Sequence, residues 1–243
     1  MLTGEELERY GRQIMIPQIG EKGQEKLKRA KVFIAGAGGL GSPVSIYLTA
    51  AGVGHLRIVD HDKVDLTNLN RQVAHWTADV GRQKVESAQE KLNKLNPNVT
   101  VETLSVTISK ENASELTAGF DLIVDAMDNL PTRYVLNKTA IGQGIPFVHG
   151  AVNGFEGRAM TVIPGKTACL RCLYRGPVPE SKFPVIGVTP AVIACIQATE
   201  VIKVLVGIGD PLANRLLAYD GLNLKFTEFK VQRNPECEHC AHL

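Results

Sequence analysis

Residues 31–42 read KVFIAGAGGLGS, and they decide the fold predicted for this chain of 243 residues. The apolar run at 32–35 predicts a short buried strand, after which Gly36, Gly38 and Gly41 form the pattern G-x-G-x-x-G ahead of a helix. In this setting a nucleotide phosphate can approach backbone N–H groups at the helix N-terminus. The alternative is that the glycines only permit close strand-to-helix packing. The strand-loop-helix context favours nucleotide binding.

Strands and helices alternate through the first 150 residues. Strands are predicted at 32–35, 55–60, 99–106, 121–129 and 145–150, and helices at 5–15, 21–29, from the glycine loop to about 51, 80–95 and 131–142. The pattern then changes to a strand at 157–163, an irregular proline-rich segment at 175–190, a helix at 191–206 and two strands ending near residue 231. Such alternation implies a parallel, doubly wound sheet. We therefore expect one α/β, Rossmann-like domain over residues 1–243, with a mostly parallel sheet and a mixed or antiparallel second half.

The composition excludes several classes of protein. A net charge of +2 and 44% hydrophobic residues describe a soluble globular chain with no electrostatic bias toward nucleic acid or membrane. The first residues lack the cationic start and apolar core of a signal peptide, which predicts a cytoplasmic protein. The most apolar stretch, 190–208, is interrupted by Gln197, Glu200 and Lys203. These side chains are costly at membrane depth, so we expect a buried helix there.

Four of the five cysteines form two C-x-x-C pairs, Cys169 with Cys172 and Cys237 with Cys240. Together they supply four thiolates, which is the ligand set of a closed tetrahedral zinc site. The alternative, a thioredoxin-like redox pair, requires C-x-x-C at the head of a helix in a different βαβ setting. We expect a structural zinc that holds the C-terminal segment to the loop after residue 163, with His239 left over.

Three further motifs follow the glycine loop in order. They are VDHDKVDLTNLNRQ at 59–72, GRQKVES at 81–87 and DAMDN at 125–129. With the cysteine pairs, this arrangement closely resembles the ThiF, MoeB and HesA proteins, relatives of the ubiquitin-activating enzymes. The resemblance covers essentially the whole chain. It implies an adenylyltransferase that uses ATP and Mg²⁺ to convert a carboxylate into an acyl-adenylate and pyrophosphate.

The resemblance also implies roles for individual residues. Its nucleotide-binding set is Gly36, Gly38, Gly39, Gly41, Asp60, Asn68, Arg71, Lys84, Asp128 and Asn129, and its catalytic set is Arg12, Arg71, Lys84 and Asp128. Asp60 is expected to bind the ribose, Asn68, Arg71 and Lys84 the triphosphate, and Asp128 the magnesium. Arg12 resembles an arginine that reaches into the partner subunit's site, which implies a homodimer. Residues 1–30 would be a helical appendage, 31–150 the nucleotide-binding half and 151–243 the acceptor-binding and zinc half.

The chemistry explains why these residue types are needed. A carboxylate attacking an α-phosphate brings two anions together, so catalysis requires cations and alignment. The nucleophile is already ionised at neutral pH and needs no general base. The alternatives are that Arg71 and Lys84 are solvated surface charges and that Asp128 caps the helix at 131–142. We expect His55, His75 and His149 to be structural or surface residues.

The chain departs from many relatives in its crossover segment, residues 174–190, which has no cysteine to form a covalent link. The fifth cysteine, Cys195, lies among apolar residues and is expected to be a buried small hydrophobe. We therefore expect the reaction to stop at the adenylate, with sulfur supplied by a separate sulfurtransferase or desulfurase.

Four functions compete. The first is activation of a ubiquitin-fold sulfur-carrier protein, ThiS-like or MoaD-like and ending in Gly-Gly, for sulfur incorporation in molybdopterin, thiamin or a related pathway. The second is adenylation of a small-molecule carboxylate in cofactor biosynthesis. An NAD-dependent oxidoreductase shares residues 36–60 but gives no reason for Arg71, Lys84 and Asp128. A non-catalytic partner subunit would not need to retain every phosphate-handling residue.

Overall fold

The computed structural model of the protein describes residues 1–174 and 183–243, and these form one eight-stranded sheet with helices on both faces. The strands are β1 (Lys31–Ala35), β2 (His55–Val59), β3 (Thr100–Leu104), β4 (Leu122–Asp125), β5 (Phe147–Asn153), β6 (Glu156–Val162), β7 (Arg215–Asp220) and β8 (Lys225–Lys230). The helices are α1 (Gly4–Arg9), α2 (Gly11–Ile14), α3 (Gly20–Arg29), α4 (Gly41–Ala51), α5 (Lys84–Leu95), α6 (Ala113–Leu116), α7 (Leu130–Gln143), α8 (Leu170–Leu173) and α9 (Val188–Val206). Part of the predicted irregular segment at 175–190 lies outside the described residues.

The strand order is β3-β2-β1-β4-β5-β6-β7-β8. The first five strands are parallel, and β6, β7 and β8 continue the sheet in antiparallel pairs. β4 is buried along its whole length and β1 beyond its first residue, as expected for central parallel strands covered on both faces. The predicted doubly wound, mostly parallel sheet with an antiparallel second half is confirmed.

Two hydrophobic clusters cover the two faces of the sheet. One contains Leu27 of α3, Val44 of α4, Leu92 of α5 and Val201 of α9. The other contains Leu136 of α7 together with the four paired cysteines. Both clusters draw residues from β1, so this strand is covered on both faces.

Helix α5 begins at Lys84 and not near residue 80 as predicted. Backbone hydrogen bonds hold residues 81 and 82 against Val64, and Lys63 bridges Gln83. Gly81 has a φ of 90°, which also interrupts a helix. The start of the helix is therefore set by contacts with the preceding loop, and Lys84 occupies the first helical position.

Helix α9 has the length and mean hydropathy, 1.6, of a membrane span, but it packs in the core of this fold. Ile193, Gln197 and Glu200 are buried, which agrees with the predicted buried helix. The expectation that Cys195 is buried is wrong, because this residue is exposed. Cys195 lies one helical turn before Thr199, which is also exposed, so its apolar neighbours in sequence point in other directions.

Candidate active site

A cavity of about 620 Å³ opens at the carboxyl ends of β1, β2 and β4. The strand order reverses between β1 and β4, and ligands of open α/β sheets bind at such a switch point. The volume is within the range of about 300–1,000 Å³ typical of small-molecule sites. Of the predicted nucleotide-binding residues, Gly36, Gly38, Gly39, Asp60, Arg71, Lys84, Asp128 and Asn129 line the cavity. Gly41 and Asn68 lie outside its lining.

The glycine loop connects β1 to α4. Gly36 has a φ of 101°, a conformation that favours glycine. A Cβ on Gly41 would lie 1.9 Å from the carbonyl oxygen of Gly36, so this position tolerates no side chain. Gly36 and Gly41 therefore shape the loop, whereas Gly38 and Gly39 present bare backbone to the cavity.

Asp60 follows β2 and is held by two backbone groups. Its Oδ2 accepts a hydrogen bond from the Ala37 N–H at 2.8 Å, and its Oδ1 accepts one from the Asp62 N–H at 2.9 Å. An ionised carboxylate has about four lone-pair sites, so acceptors remain for a pair of ribose hydroxyls. The same side chain thus ties the glycine loop to the end of β2 and faces the cavity.

Two cations lie in the cavity wall. Arg71 is half-buried, and its Nη1 donates to the Thr67 carbonyl and to Asn70 Oδ1, each at 2.9 Å. The Lys84 side chain is only 7% exposed, and its Nζ lies 2.8 Å from Asp62 Oδ2. Hydrogen bonds and an ion pair therefore hold both side chains in place, and neither is a freely solvated charge. A bound triphosphate would compete with the Asp62 carboxylate for the ammonium group of Lys84.

Asp128 and Asn129 stand at the turn from β4 into α7. Asn129 caps the helix by accepting a hydrogen bond from the Thr132 N–H at 3.0 Å, so the capping role considered for Asp128 belongs to its neighbour. Asp128 is exposed at the cavity, with an Oδ1 contact of 3.4 Å to Asn129 Nδ2. An accessible carboxylate beside a candidate phosphate site would suit Mg²⁺, which is commonly held by one or two carboxylates and substrate phosphates.

Arg12 is exposed on α2 and does not line the cavity of its own chain. Its neighbours on both sides are anchored. The Tyr10 hydroxyl accepts a hydrogen bond from Asn96 at 2.7 Å, and Gln13 donates to Gln24 at 2.7 Å. The fold therefore presents Arg12 outward from a fixed base.

Sequence reasoning missed two residues that line the cavity and a buried pair behind it. Gln72 and Arg133 line the cavity, and the Arg133 Nη2 donates to the Gly150 carbonyl at 3.0 Å. Behind them, Asp125 Oδ2 lies 2.6 Å from His149 Nδ1, and both side chains are fully buried. Asp125 ends the apolar run of β4, which is the signal that could have identified it.

The four paired cysteines are brought together at one site. Their Sγ atoms lie within 4.8 Å of one another, with contacts of 3.9 Å (Cys169–Cys172), 3.6 Å (Cys169–Cys237) and 3.5 Å (Cys172–Cys240). A tetrahedron with Zn–S bonds of about 2.3 Å has edges of about 3.8 Å, so the cluster is compatible with zinc. Burial raises the pKa of Cys240 to about 11, so a cation would be needed to hold this thiol as a thiolate.

Helix α7 and the second cysteine pair support this cluster. Asn137 accepts a hydrogen bond from the Leu170 N–H at 3.0 Å, and its Nδ2 lies 2.8 Å from His239 Nδ1. The Asn234 N–H donates to the Cys172 sulfur at 3.4 Å. His239 therefore has a hydrogen-bond partner in Asn137.

The sheet order, the glycine loop and the charged cavity define a nucleotide-binding enzyme of the Rossmann type. The sequence profile of the ThiF family matches residues 10–239, and the chain belongs to that family. It is 47% identical to the sulfur carrier protein adenylyltransferase of Thermus thermophilus, covering 98% of this chain and 92% of that one. It is 44% identical to the SAMP-activating enzyme E1 of Haloferax volcanii, covering 99% and 91%.

Solved structures agree with this assignment. A crystal structure of E. coli MccB with ATP superposes with a TM-score of 0.87 at 27% identity, over 96% of this chain and 74% of that one. The predicted family and the predicted adenylyltransferase class are confirmed by these comparisons.

Proposed function

We propose that this enzyme uses ATP and Mg²⁺ to adenylate the C-terminal glycine carboxylate of a ubiquitin-fold sulfur-carrier protein. The observation that carries the proposal is that Arg71, Lys84 and the accessible carboxylate of Asp128 line one cavity beside a bare glycine loop. NAD chemistry would use the loop and Asp60 but leaves these three groups without a role. The sulfur carrier named for the Thermus relative supports the choice of acceptor.

In the proposed reaction an oxygen of the acceptor carboxylate attacks the α-phosphorus of ATP. The bond from that phosphorus to the bridging oxygen breaks, and pyrophosphate leaves with the electron pair. Asp60 fixes the ribose, while Arg71 and Lys84 offset the charge that builds on the phosphates. Magnesium held by Asp128 would neutralise further phosphate charge. No proton has to move, and the buried His75 and His149 lie outside the cavity lining.

The geometry favours a peptide tail over a small carboxylate. Val152, Phe183, Pro184 and Val185 form an apolar part of the cavity wall. The Gly154 N–H donates to the Pro184 carbonyl at 2.6 Å, and Gly154 bridges Val185, so this wall is tied to the turn after β5. A Gly-Gly end has no side chains that this apolar wall would exclude. A small-molecule carboxylate remains the second candidate acceptor.

We also propose a homodimer in which Arg12 completes the partner subunit's site. The support is its outward position between two anchored residues. Mixing inactive Arg12→Ala and Asp128→Ala proteins tests this, because each mixed dimer contains one intact site. Random exchange of subunits should restore about a quarter of wild-type activity. Absence of any recovery in a mixture shown to contain mixed dimers would remove Arg12 from the site.

The proposed reaction stops at the adenylate, with a separate sulfurtransferase or desulfurase acting next. Partial burial raises the pKa of the Cys195 thiol, which therefore stays protonated although it is exposed. Cys195 is also absent from the cavity lining. We place the reaction in the cytoplasm, where reducing conditions keep thiolates available to a metal.

Pyrophosphate exchange into ATP tests the function. The wild-type chain should catalyse exchange with a ubiquitin-fold carrier that ends in Gly-Gly and not with the same carrier lacking its last glycine. Exchange with small carboxylates alone would transfer the assignment to the second candidate. Absence of exchange together with specific binding of NAD would remove the adenylyltransferase assignment altogether.

A further inference from the structure

His75 is a buried residue that connects the glycine loop to helix α5. It is 3% exposed, its Nε2 lies 3.0 Å from the Ala37 carbonyl oxygen, and its Nδ1 lies 2.9 Å from Ser87 Oγ. Ala37 stands between the two glycines Gly36 and Gly38. The imidazole therefore contacts the backbone of the loop from behind and not from the cavity.

The direction of the hydrogen bond between His75 and Ala37 is fixed by chemistry. A carbonyl can only accept, so Nε2 of His75 carries a proton and donates to Ala37. Lys91 Nζ can only donate, and it lies 2.9 Å from Ser87 Oγ and 2.5 Å from Asp79 Oδ2. Ser87 therefore accepts from Lys91 and lies within hydrogen-bond distance of the unprotonated Nδ1 of His75. These contacts connect Lys91, Ser87 and His75 to the loop.

The contact with Ala37 sets the orientation of the next N–H group. In a trans peptide the carbonyl and the following N–H point in opposite directions. His75 and the Ser42 hydroxyl, which lies 3.0 Å from the same oxygen, hold the Ala37 carbonyl toward the protein interior. The N–H of Gly38 therefore points the other way, and within residues 1–174 and 183–243 it has no hydrogen-bond acceptor. Gly38 lines the cavity, so this N–H is available to a phosphate or ribose oxygen.

His75 also joins the two halves of the phosphate site. Its own N–H donates to the Gln72 carbonyl at 3.0 Å, directly after Arg71. Its side chain contacts the glycine loop at Ala37, so the segment 71–75 is linked directly to that loop. A single residue thus fixes the spacing between the bare backbone at Gly38 and the cation at Arg71.

We infer that His75 is a positioning residue for the nucleotide, holding the Ala37–Gly38 peptide with its N–H toward the cavity and in register with Arg71. This inference rests on the proposed use of ATP. The hydrogen bond from His75 to Ala37 predicts which replacements of His75 preserve ATP binding. Gln offers a side-chain N–H of comparable reach and can donate to Ala37, whereas Leu fills similar space and cannot.

The test measures ATP affinity by calorimetric titration without acceptor, and the KM for ATP against the KM for the carrier in pyrophosphate exchange. His75→Leu should weaken ATP binding about tenfold, the effect of one lost hydrogen bond, with the KM for the carrier unchanged. His75→Gln should stay within about threefold of wild type. Ser42→Ala removes the second donor to the same carbonyl and should also raise the KM for ATP, which keeps the test valid if His75→Leu does not fold.

Thr161→Val is the matched control for stability. It removes a buried hydrogen bond of 2.6 Å to Glu200 outside the cavity lining, so it should lower thermal stability without changing ATP affinity. Wild-type affinity in His75→Leu, or equal losses in His75→Leu and His75→Gln, would overturn the inference. If the wild-type chain itself fails to bind ATP, the proposed function fails first, and the two failures are distinguishable.

Discussion

Replacing Asp79 by asparagine should lower the free energy of unfolding by more than most single polar substitutions do. The Asp79 side chain is 5% exposed and pairs with Lys91, whose side chain is 12% exposed. Burial alone would raise the pKa of Asp79, but hydrogen bonds from Lys91 and from the Trp76 N–H outweigh it and lower that pKa from 3.8 to about 2. At about 1.4 kcal/mol per pKa unit, ionised Asp79 contributes about 2 kcal/mol at neutral pH. Leaving Lys91 buried without its anion adds to this loss, so we expect Asp79→Asn to cost about 2–4 kcal/mol.

The sign of the pH dependence follows from the lowered pKa of Asp79. The stabilisation is complete above the unfolded-state pKa near 3.8 and is lost as the pH falls toward the folded-state value of about 2. Urea denaturation followed by circular dichroism, with zinc present, should show a constant gap between wild type and Asp79→Asn at neutral pH. The gap should close as the pH falls below about 4.

Two further variants separate this account from a general effect of lost charge. Glu90→Gln also removes a paired carboxylate, but the Glu90 side chain is 44% exposed, so the cost should be below about 1 kcal/mol. Adding Lys91→Met to Asp79→Asn should recover part of the loss, because the unpaired cation is then gone. If Asp79→Asn costs no more than Glu90→Gln at pH 7, the reasoning is refuted.

The remaining predictions concern the sites. ATP with Mg²⁺ should raise the midpoint of thermal unfolding and NAD should not; a shift with NAD alone would contradict the nucleotide assignment. Asp128→Ala and Arg71→Ala should keep the wild-type unfolding midpoint and lose carrier-dependent pyrophosphate exchange, so normal exchange in both would remove those roles. Metal analysis should find one zinc per chain, and Cys240→Ser should lose it together with stability; freshly purified protein without zinc would argue against the site. Cys195→Ala should keep full adenylation, with intact mass showing no covalent adduct; an adduct mapped to Cys195 would restore a covalent mechanism.

Local signals carried most of the successful sequence predictions. The loop at Gly36 follows its strand directly, and the cysteine pairs are short motifs with a ligand count that matches zinc. The carbonyl of Gly36 lies where a Cβ on Gly41 would be, so the spacing of the glycine pattern reflects a real steric limit. Each of these features depends on residues close together in the chain.

The failures have a different origin. Asp125 and His149 are register partners in β4 and β5, and a sequence does not reveal which strands will be neighbours or in what register. The start of α5 depends on hydrogen bonds from residue 64 to residues 81 and 82. Cys195 is exposed although its neighbours in sequence are apolar, because those neighbours point to other sides of the helix. In all three cases contacts between distant segments outweigh the local pattern.

The cysteine cluster has a consequence for the order in which the protein assembles. Its two pairs are 68 residues apart, one before α9 and the other after β8. Neither pair alone can fill a four-sulfur shell, so a metal ion held by all four sulfurs would be captured firmly only once the segment that contains β7 and β8 has folded back to the first pair. Such a metal ion would close a long loop and would reduce the conformational freedom of the unfolded chain. Metal content would therefore report how many molecules have completed their final strands, and chelation should release that edge of the sheet before the nucleotide-binding half.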